Sequence, residues 1–187
     1  MKDSTTFNQI VNSYEQLWRS NHAHELDLGG KSYLDQLYAS ILKSDDFFKI
    51  MNNNSCIIDL GAGMGSKIVR ELSACSPQII AVDCFPSFVD LPLRYNAKKI
   101  ISNILETDLP DNCADLVVSA YVATHNPYFV SDENQKKYAD EIIRLLKPGG
   151  IFWGEEKDLN QHIFKYNKLI EEYTYLYPFY VHFFKKI

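Results

Sequence analysis

The chain has 187 residues, 46% hydrophobic and 23% charged, with a net charge of −5 and a pI of about 5.5. That is an ordinary globular composition, long enough for one full-sized domain with a core. No apolar run approaches a membrane span, the N-terminal MKDSTTFNQI lacks the basic-then-apolar pattern of a signal peptide, and the lysines are scattered rather than gathered into a basic stripe. The expectation is a cytoplasmic protein with no membrane partner, and a large nucleic-acid substrate is disfavoured. The four cysteines (Cys56, Cys75, Cys84, Cys113) show neither CxxC nor zinc-ligand spacing. They read as reduced, half-buried thiols, and no metal is expected.

In chain order, residues 4–19 carry Phe7, Ile10, Val11, Tyr14, Leu17 and Trp18 on one helical face. Gly29-Gly30 breaks the pattern. A second helical run follows, with Tyr33, Leu34, Leu37, Tyr38, Ile41 and Leu42 aligned behind a Ser32 cap. Residues 1–50 thus read as a helical prelude, and 51–187 as the main domain. There the pattern alternates. Cys56–Leu60 is a short apolar strand, Ser66–Cys75 a helix and Gln78–Asp83 a strand. Lys99–Ser102 and Asp115–Ser119 are further strands, and Ser131–Lys147 is an amphipathic helix stopped by Lys147-Pro-Gly-Gly150. Ile151–Gly154 is a strand, Asp158–Tyr173 reads as a helix, and Tyr180–Phe184 closes as a strand. Apolar strands separated by helices predict an α/β, doubly wound, mostly parallel sheet. Ligands in such sheets sit beyond the carboxyl ends of the strands. That places Asp59–Gly65, Asp83, 101–106, Ser119–Tyr121 and Glu155–Lys157 around a candidate site.

The turn after the first strand, DLGAGMG, holds Gly61, Gly63 and Gly65 at every second position behind Asp59. The dinucleotide fingerprint G-x-G-x-x-G has different spacing. An acid before the first glycine would repel a pyrophosphate and attract a cation. S-adenosylmethionine carries an ammonium and a sulfonium, so the turn suits it. Asp83, at the end of the second strand, can accept both ribose hydroxyls of a nucleoside.

Four segments in register over about residues 55–157 resemble class I S-adenosylmethionine-dependent methyltransferases. DLGAGMG fits their D/E-x-G-x-G-x-G turn, and QIIAVD ends in the ribose acid. ISNILETDLPDNCADLVVS is similar to their third and fourth motifs, and EIIRLLKPGGIFWGEE to their helix-KPGG-strand segment. The resemblance implies a Rossmann-like sheet of seven strands, or one abbreviated at its end, with S-adenosylmethionine as cofactor. It implies that Gly61, Ala62, Gly63 and Gly65 lie under the methionine part, with Asp83 on the ribose and Cys84 beside it. Asn103 then faces the adenine amine, Ile104 or Leu105 flanks the adenine, and Ser119 lines the site. Departures from the pattern are Asn103 where an Asp is commoner, Ala114 where a phenylalanine is usual, and a gap of two residues after Leu109-Pro110. The Asp83–Lys99 segment, with Pro86 and Pro92, is short enough for the second helix to be a turn.

His125, after the fourth strand, is the candidate general base, and Glu155, after the fifth, a candidate base or amine anchor. HNPYF (125–129) reads as a turn before the Ser131 helix, because it lies too far past Ser119 for the N/D-P-P-Y/F nitrogen clamp. His22 and His24 lack the third ligand that a metal needs. The prelude is expected to form a lid, with Tyr14 and Trp18 over the cofactor. No long insertion precedes the fifth strand, so a small-molecule acceptor is expected. The rival readings are a non-catalytic S-adenosylmethionine-binding protein or inactive partner subunit, and a nicotinamide oxidoreductase. Oligomeric state is left open.

Overall fold

The computed structural model describes residues 54–63, 65–74, 78–90, 92–93, 95–119, 122, 131–154, 170–176 and 179–186. The prelude with Tyr14, Trp18, His22 and His24 lies outside them. So do Tyr121, His125 and the rest of HNPYF, Glu155–Lys157 and Cys75.

Five strands run parallel: β1 (Cys56–Leu60), β2 (Gln78–Asp83), β3 (Lys98–Ile101), β4 (Ala114–Ser119) and β5 (Leu146–Gly154). Beyond β5 lies β7 (Phe179–Lys185), antiparallel to it, and then β6 (Ile170–Leu176), antiparallel to β7. The order is β3-β2-β1-β4-β5-β7-β6. The chain leaves β1 for β2 on one side and later crosses to β4 on the other. The switch point therefore lies between β1 and β4, where the α/β ligand rule puts a site.

β1 is buried along its whole length because sheet neighbours flank it and both faces are covered. One core face gathers Ile57, Val69, Leu72, Ala81, Phe85, Phe88, Leu116 and Val118 under α1 (Lys67–Leu72). The other gathers Ile58, Leu60, Val82, Val117 and Phe152 under α2 (Asp132–Leu145), through Tyr138, Ile142 and Leu145. Each helix starts on a serine whose hydroxyl accepts an orphan backbone N–H. Ser66 Oγ takes that of Val69 (3.4 Å) and Ser131 Oγ that of Asn134 (3.2 Å). Asp132 and Glu133 in the first turn of α2 and Arg144 in its last match the helix dipole. The Asp83–Lys99 segment forms a short 3-10 helix, Pro86–Asp90, where a full helix was in doubt.

Two sequence expectations need correction. α2 ends at Leu145 and β5 begins at Leu146, so Lys147-Pro-Gly-Gly150 belongs to the strand and carries a bulge in register against β4. Residues 170–173, read as the end of a helix from Asp158, lie instead in β6. The four-and-three spacing of Ile163, Tyr166, Ile170 and Tyr173 matched a helical face. Yet the Tyr173-Thr174-Tyr175 run has high strand propensity, and pairing with β7 over Ile170–Leu176 decides the outcome.

Candidate active site

The turn after β1 is built from three glycines with positive φ: Gly61 (72°), Gly63 (51°) and Gly65 (95°). These are left-handed conformations that side chains disfavour. The amides of Gly61 and Ala62 donate across to the Val82 carbonyl (2.9 and 3.1 Å), which folds the turn over the end of β2. A methyl group at Gly61 would run into Val122 Cγ2, so the first glycine is also required by packing.

Two buried carboxylates face this turn. Asp59, 1% exposed, accepts the Ser66 backbone N–H at Oδ2 (3.0 Å). The same oxygen accepts the Tyr95 hydroxyl. Asp83, 4% exposed, accepts the Gly63 N–H at Oδ2 (2.8 Å) and the Cys84 N–H at Oδ1 (2.7 Å). Neither forms an ion pair among the described residues. Burial raises the Asp59 carboxyl, and the Tyr95 and Ser66 hydrogen bonds offset this only in part. Burial likewise pushes Asp83 up to about 6, against the amides of Gly63, Cys84 and Phe85. Buried carboxylates normally have a cation close by. Here the compensation among the described residues is a set of neutral donors.

β3 leads into the third part of the site. Asn103 Oδ1 accepts the Leu105 N–H (3.0 Å), making a side-chain turn that presents Ile104 and Leu105, both buried. Ser102 N–H donates to the Asp83 carbonyl (3.0 Å), which ties this loop to the end of β2. Ser119, at the end of β4, is fully buried, and its hydroxyl accepts from Tyr138 of α2 (2.8 Å). In cross-strand register with Asp59 lie Val118 of β4 and Trp153 of β5, on one face of the sheet. The buried indole N–H of Trp153 meets no acceptor among the described residues.

The structure thus brings Asp59, Gly61, Ala62, Gly63, Gly65, Asp83, Cys84, Asn103, Ile104, Leu105 and Ser119 to the carboxyl end of the parallel strands. Tyr95 was not foreseen. It follows Pro92 in an irregular segment, with no periodicity to mark it. A single strong donor 36 positions from a motif acid leaves no local signal in sequence.

The residues present fit S-adenosylmethionine. A positive-φ glycine turn leaves room for a ligand to approach the backbone. One buried acid beside that turn has no cation against it among the described residues, and a second lies at the end of β2. These features suit, in that order, an amino-acid moiety, its ammonium and a ribose.

This arrangement defines a nucleoside-binding α/β domain of the methyltransferase type, and the comparisons with known proteins agree. The family described as "Methyltransferase domain" matches residues 58–154, more than half of the chain. An uncharacterised methyltransferase-like protein of Schizosaccharomyces pombe is 31% identical over 136 residues, 70% of this chain and 49% of that protein. The tRNA (carboxymethyluridine(34)-5-O)-methyltransferase ALKBH8 of Macaca fascicularis is 26% identical over 66% of this chain and 18% of its own length. The chain therefore spans half or less of the length of these curated relatives. Among solved structures, the N-methyltransferase NodS of Bradyrhizobium japonicum with S-adenosylhomocysteine superposes with a TM-score of 0.68 at 13% identity, over 95% of this chain and 98% of that one. The chain belongs to the class I S-adenosylmethionine-dependent methyltransferase family, whose cofactor is S-adenosylmethionine. With a tRNA enzyme among the relatives, the expectation that nucleic acid is disfavoured, which rested on net charge and the scattered lysines, is not supported. No helix among the described residues is long and apolar enough to cross a membrane.

Proposed function

We propose that the chain transfers the methyl group of S-adenosylmethionine to a small-molecule acceptor. The observation that carries the cofactor half of this reading is the pair of buried carboxylates, Asp59 and Asp83, flanking the glycine turn with no cation against them among the described residues. Burying them costs stability that a ligand with an ammonium and two ribose hydroxyls would repay. In this reading Asp59 faces the ammonium, Asp83 the ribose, and Asn103 with Ile104 and Leu105 the adenine.

The cofactor supplies a methyl group already activated by its sulfonium. The protein has to bind, align and exclude water. A base is needed only for an acceptor that arrives protonated. His125 and Glu155 are proposed for that task, and Tyr14 and Trp18 of the prelude as cover over the cofactor. The acceptor half is supported by the lack of a long insertion before β5. A second reading, methylation of a nucleoside in RNA, is favoured by the similarity to the tRNA enzyme.

Calorimetry with S-adenosylmethionine, S-adenosylhomocysteine and NAD tests the cofactor. The first two should bind and NAD should not. Transfer of labelled methyl into a metabolite panel and, in parallel, into total RNA then separates the acceptor classes. Label in RNA alone would replace the small-molecule reading. Binding with no transfer to either would support the non-catalytic alternative.

A further inference from the structure

Tyr95 sits in the irregular segment between the 3-10 helix and β3. It is 8% exposed and packs in the α1-side core beside Ala97, Phe85 and Phe88. An aromatic ring there would be explained by packing alone, but its hydroxyl reaches Asp59 of β1, 36 residues back. Two hydrogen bonds that Asp59 receives, from Tyr95 and from the Ser66 amide, end on Oδ2, and the Ser66 hydroxyl also favours the charged acid. Oδ1 receives neither of these two bonds. The carboxylate is thus held at one oxygen from two directions, by the loop before β3 and by the turn before α1.

We propose that Tyr95 is a positioning residue for cofactor binding, whose hydroxyl anchors Oδ2 of Asp59 and keeps the carboxylate anionic, so that Oδ1 takes the ammonium of the cofactor's amino-acid moiety. The proposal rests on the reading of Asp59 as the seat of that ammonium. Its physical basis is the balance at Asp59. Burial favours the neutral acid, and the Tyr95 hydroxyl with the Ser66 amide and hydroxyl favours the anion. A neutral Asp59 would offer no charge to an ammonium. The described groups acting on Asp59 are Tyr95 from the segment before β3 and Ser66 from the turn before α1, and neither is a cation. Asp83, at the end of neighbouring β2, is the other buried acid here and is held by Gly63 and Cys84. Removing the Tyr95 hydroxyl therefore shifts the balance toward protonated Asp59. The Tyr95 hydroxyl itself is raised well above the ordinary tyrosine range, by burial first and by the Asp59 charge next, so it stays a donor at every working pH.

The test is calorimetry on the full chain with two ligands, S-adenosylhomocysteine, which has the ammonium, and 5′-methylthioadenosine, which lacks it. Wild type, Tyr95→Phe, Asp59→Asn and the double variant are titrated from about pH 5.5 to about pH 8.5. Tyr95→Phe should weaken S-adenosylhomocysteine about tenfold near neutrality, the scale of one charge-assisted hydrogen bond. Its acid limb of affinity should move up by about one pH unit. Binding of 5′-methylthioadenosine should change less than about twofold. In the Asp59→Asn background, where no charge needs holding, Tyr95→Phe should cost nothing further. This background also covers the case in which Tyr95→Phe alone does not fold. A wild type that binds neither ligand overturns the cofactor reading and this proposal together. A wild type that binds S-adenosylhomocysteine, with Tyr95→Phe matching it in affinity and pH midpoint, overturns the proposal alone. Equal loss of both ligands at every pH, or the full loss persisting in Asp59→Asn, would make Tyr95 a packing residue and also overturn it.

Discussion

Glu141 and Asp83 are both buried acids, 5% and 4% exposed, yet their surroundings are opposite. Glu141 of α2 accepts from the Thr107 amide (2.9 Å) and hydroxyl (2.6 Å) and takes a two-point contact from Arg144 (2.8 and 2.7 Å). Arg144 goes on to the Leu109 carbonyl (2.7 Å) and Asp111 (2.6 Å). Burial raises the Glu141 carboxyl, but Arg144 and Thr107 together outweigh burial and hold it below its usual range. At Asp83 burial wins and the carboxyl stands near 6. A buried acid that is fully paired inside its own chain is a knot. It closes the loop from β3 to β4, and that loop carries Asn103 and Leu105. A buried acid held, among the described residues, by neutral donors is costly to the folded chain alone, and the cost makes sense when a ligand completes its shell. The difference separates the scaffold from the site without reference to any relative.

The largest effect should come from the knot. Glu141→Gln should destabilise by about 3–5 kcal/mol, the usual cost of breaking a buried ion pair, and toward the lower end because the Arg144 side chain is 30% exposed. Urea melts measure it. The folded fraction should still bind S-adenosylhomocysteine within about threefold of wild type if the knot is scaffold only.

The two acids should also answer pH with opposite signs. Asp83 is raised in the folded state, so its contribution is complete below the unfolded value near 4 and is lost as pH rises through about 6. Wild type should lose roughly 2 kcal/mol relative to Asp83→Asn between pH 4 and 7. Glu141 is lowered, so its contribution is present above the unfolded value and is lost as pH falls through the folded one. Wild type should therefore gain on Glu141→Gln as pH rises through the acid range. Paired thermal melts across pH give both slopes, and two slopes of one sign would break the contrast.

The smallest effect concerns Ser119, on the border of the two regions. Its hydroxyl is engaged by Tyr138, so Tyr138→Phe should cost about 1 kcal/mol in a thermal melt. If affinity for S-adenosylhomocysteine drops as well, Ser119 belongs with the site.

Much of this was legible from local pattern. β1, β2 and β4 are short apolar runs bounded by turns, and α2 has a serine cap and a clear apolar stripe. The glycine turn announces itself by spacing, and Asp83 by its place at a strand end. What escaped reading depends on distant partners. The Glu141–Thr107 pair spans 34 residues and the Tyr95–Asp59 pair 36, and neither end differs from an ordinary surface acid or core tyrosine in sequence. β6 was misread because its tyrosines and isoleucine fit a helical face equally well, and only pairing with β7 separates the two. Lys147-Pro-Gly-Gly150 looked like a stop and proved to be the bulged start of a strand.

The central claim is that Asp83 is an acid kept for a ligand. The direct measurement is calorimetric titration of S-adenosylhomocysteine into wild type and Asp83→Ala at about pH 7.5. The account predicts a folded variant whose affinity is weaker by about 1.5–3 kcal/mol, roughly 10- to 150-fold, the cost of losing charge-assisted hydrogen bonds. A folded Asp83→Ala that binds S-adenosylhomocysteine as tightly as wild type would contradict it.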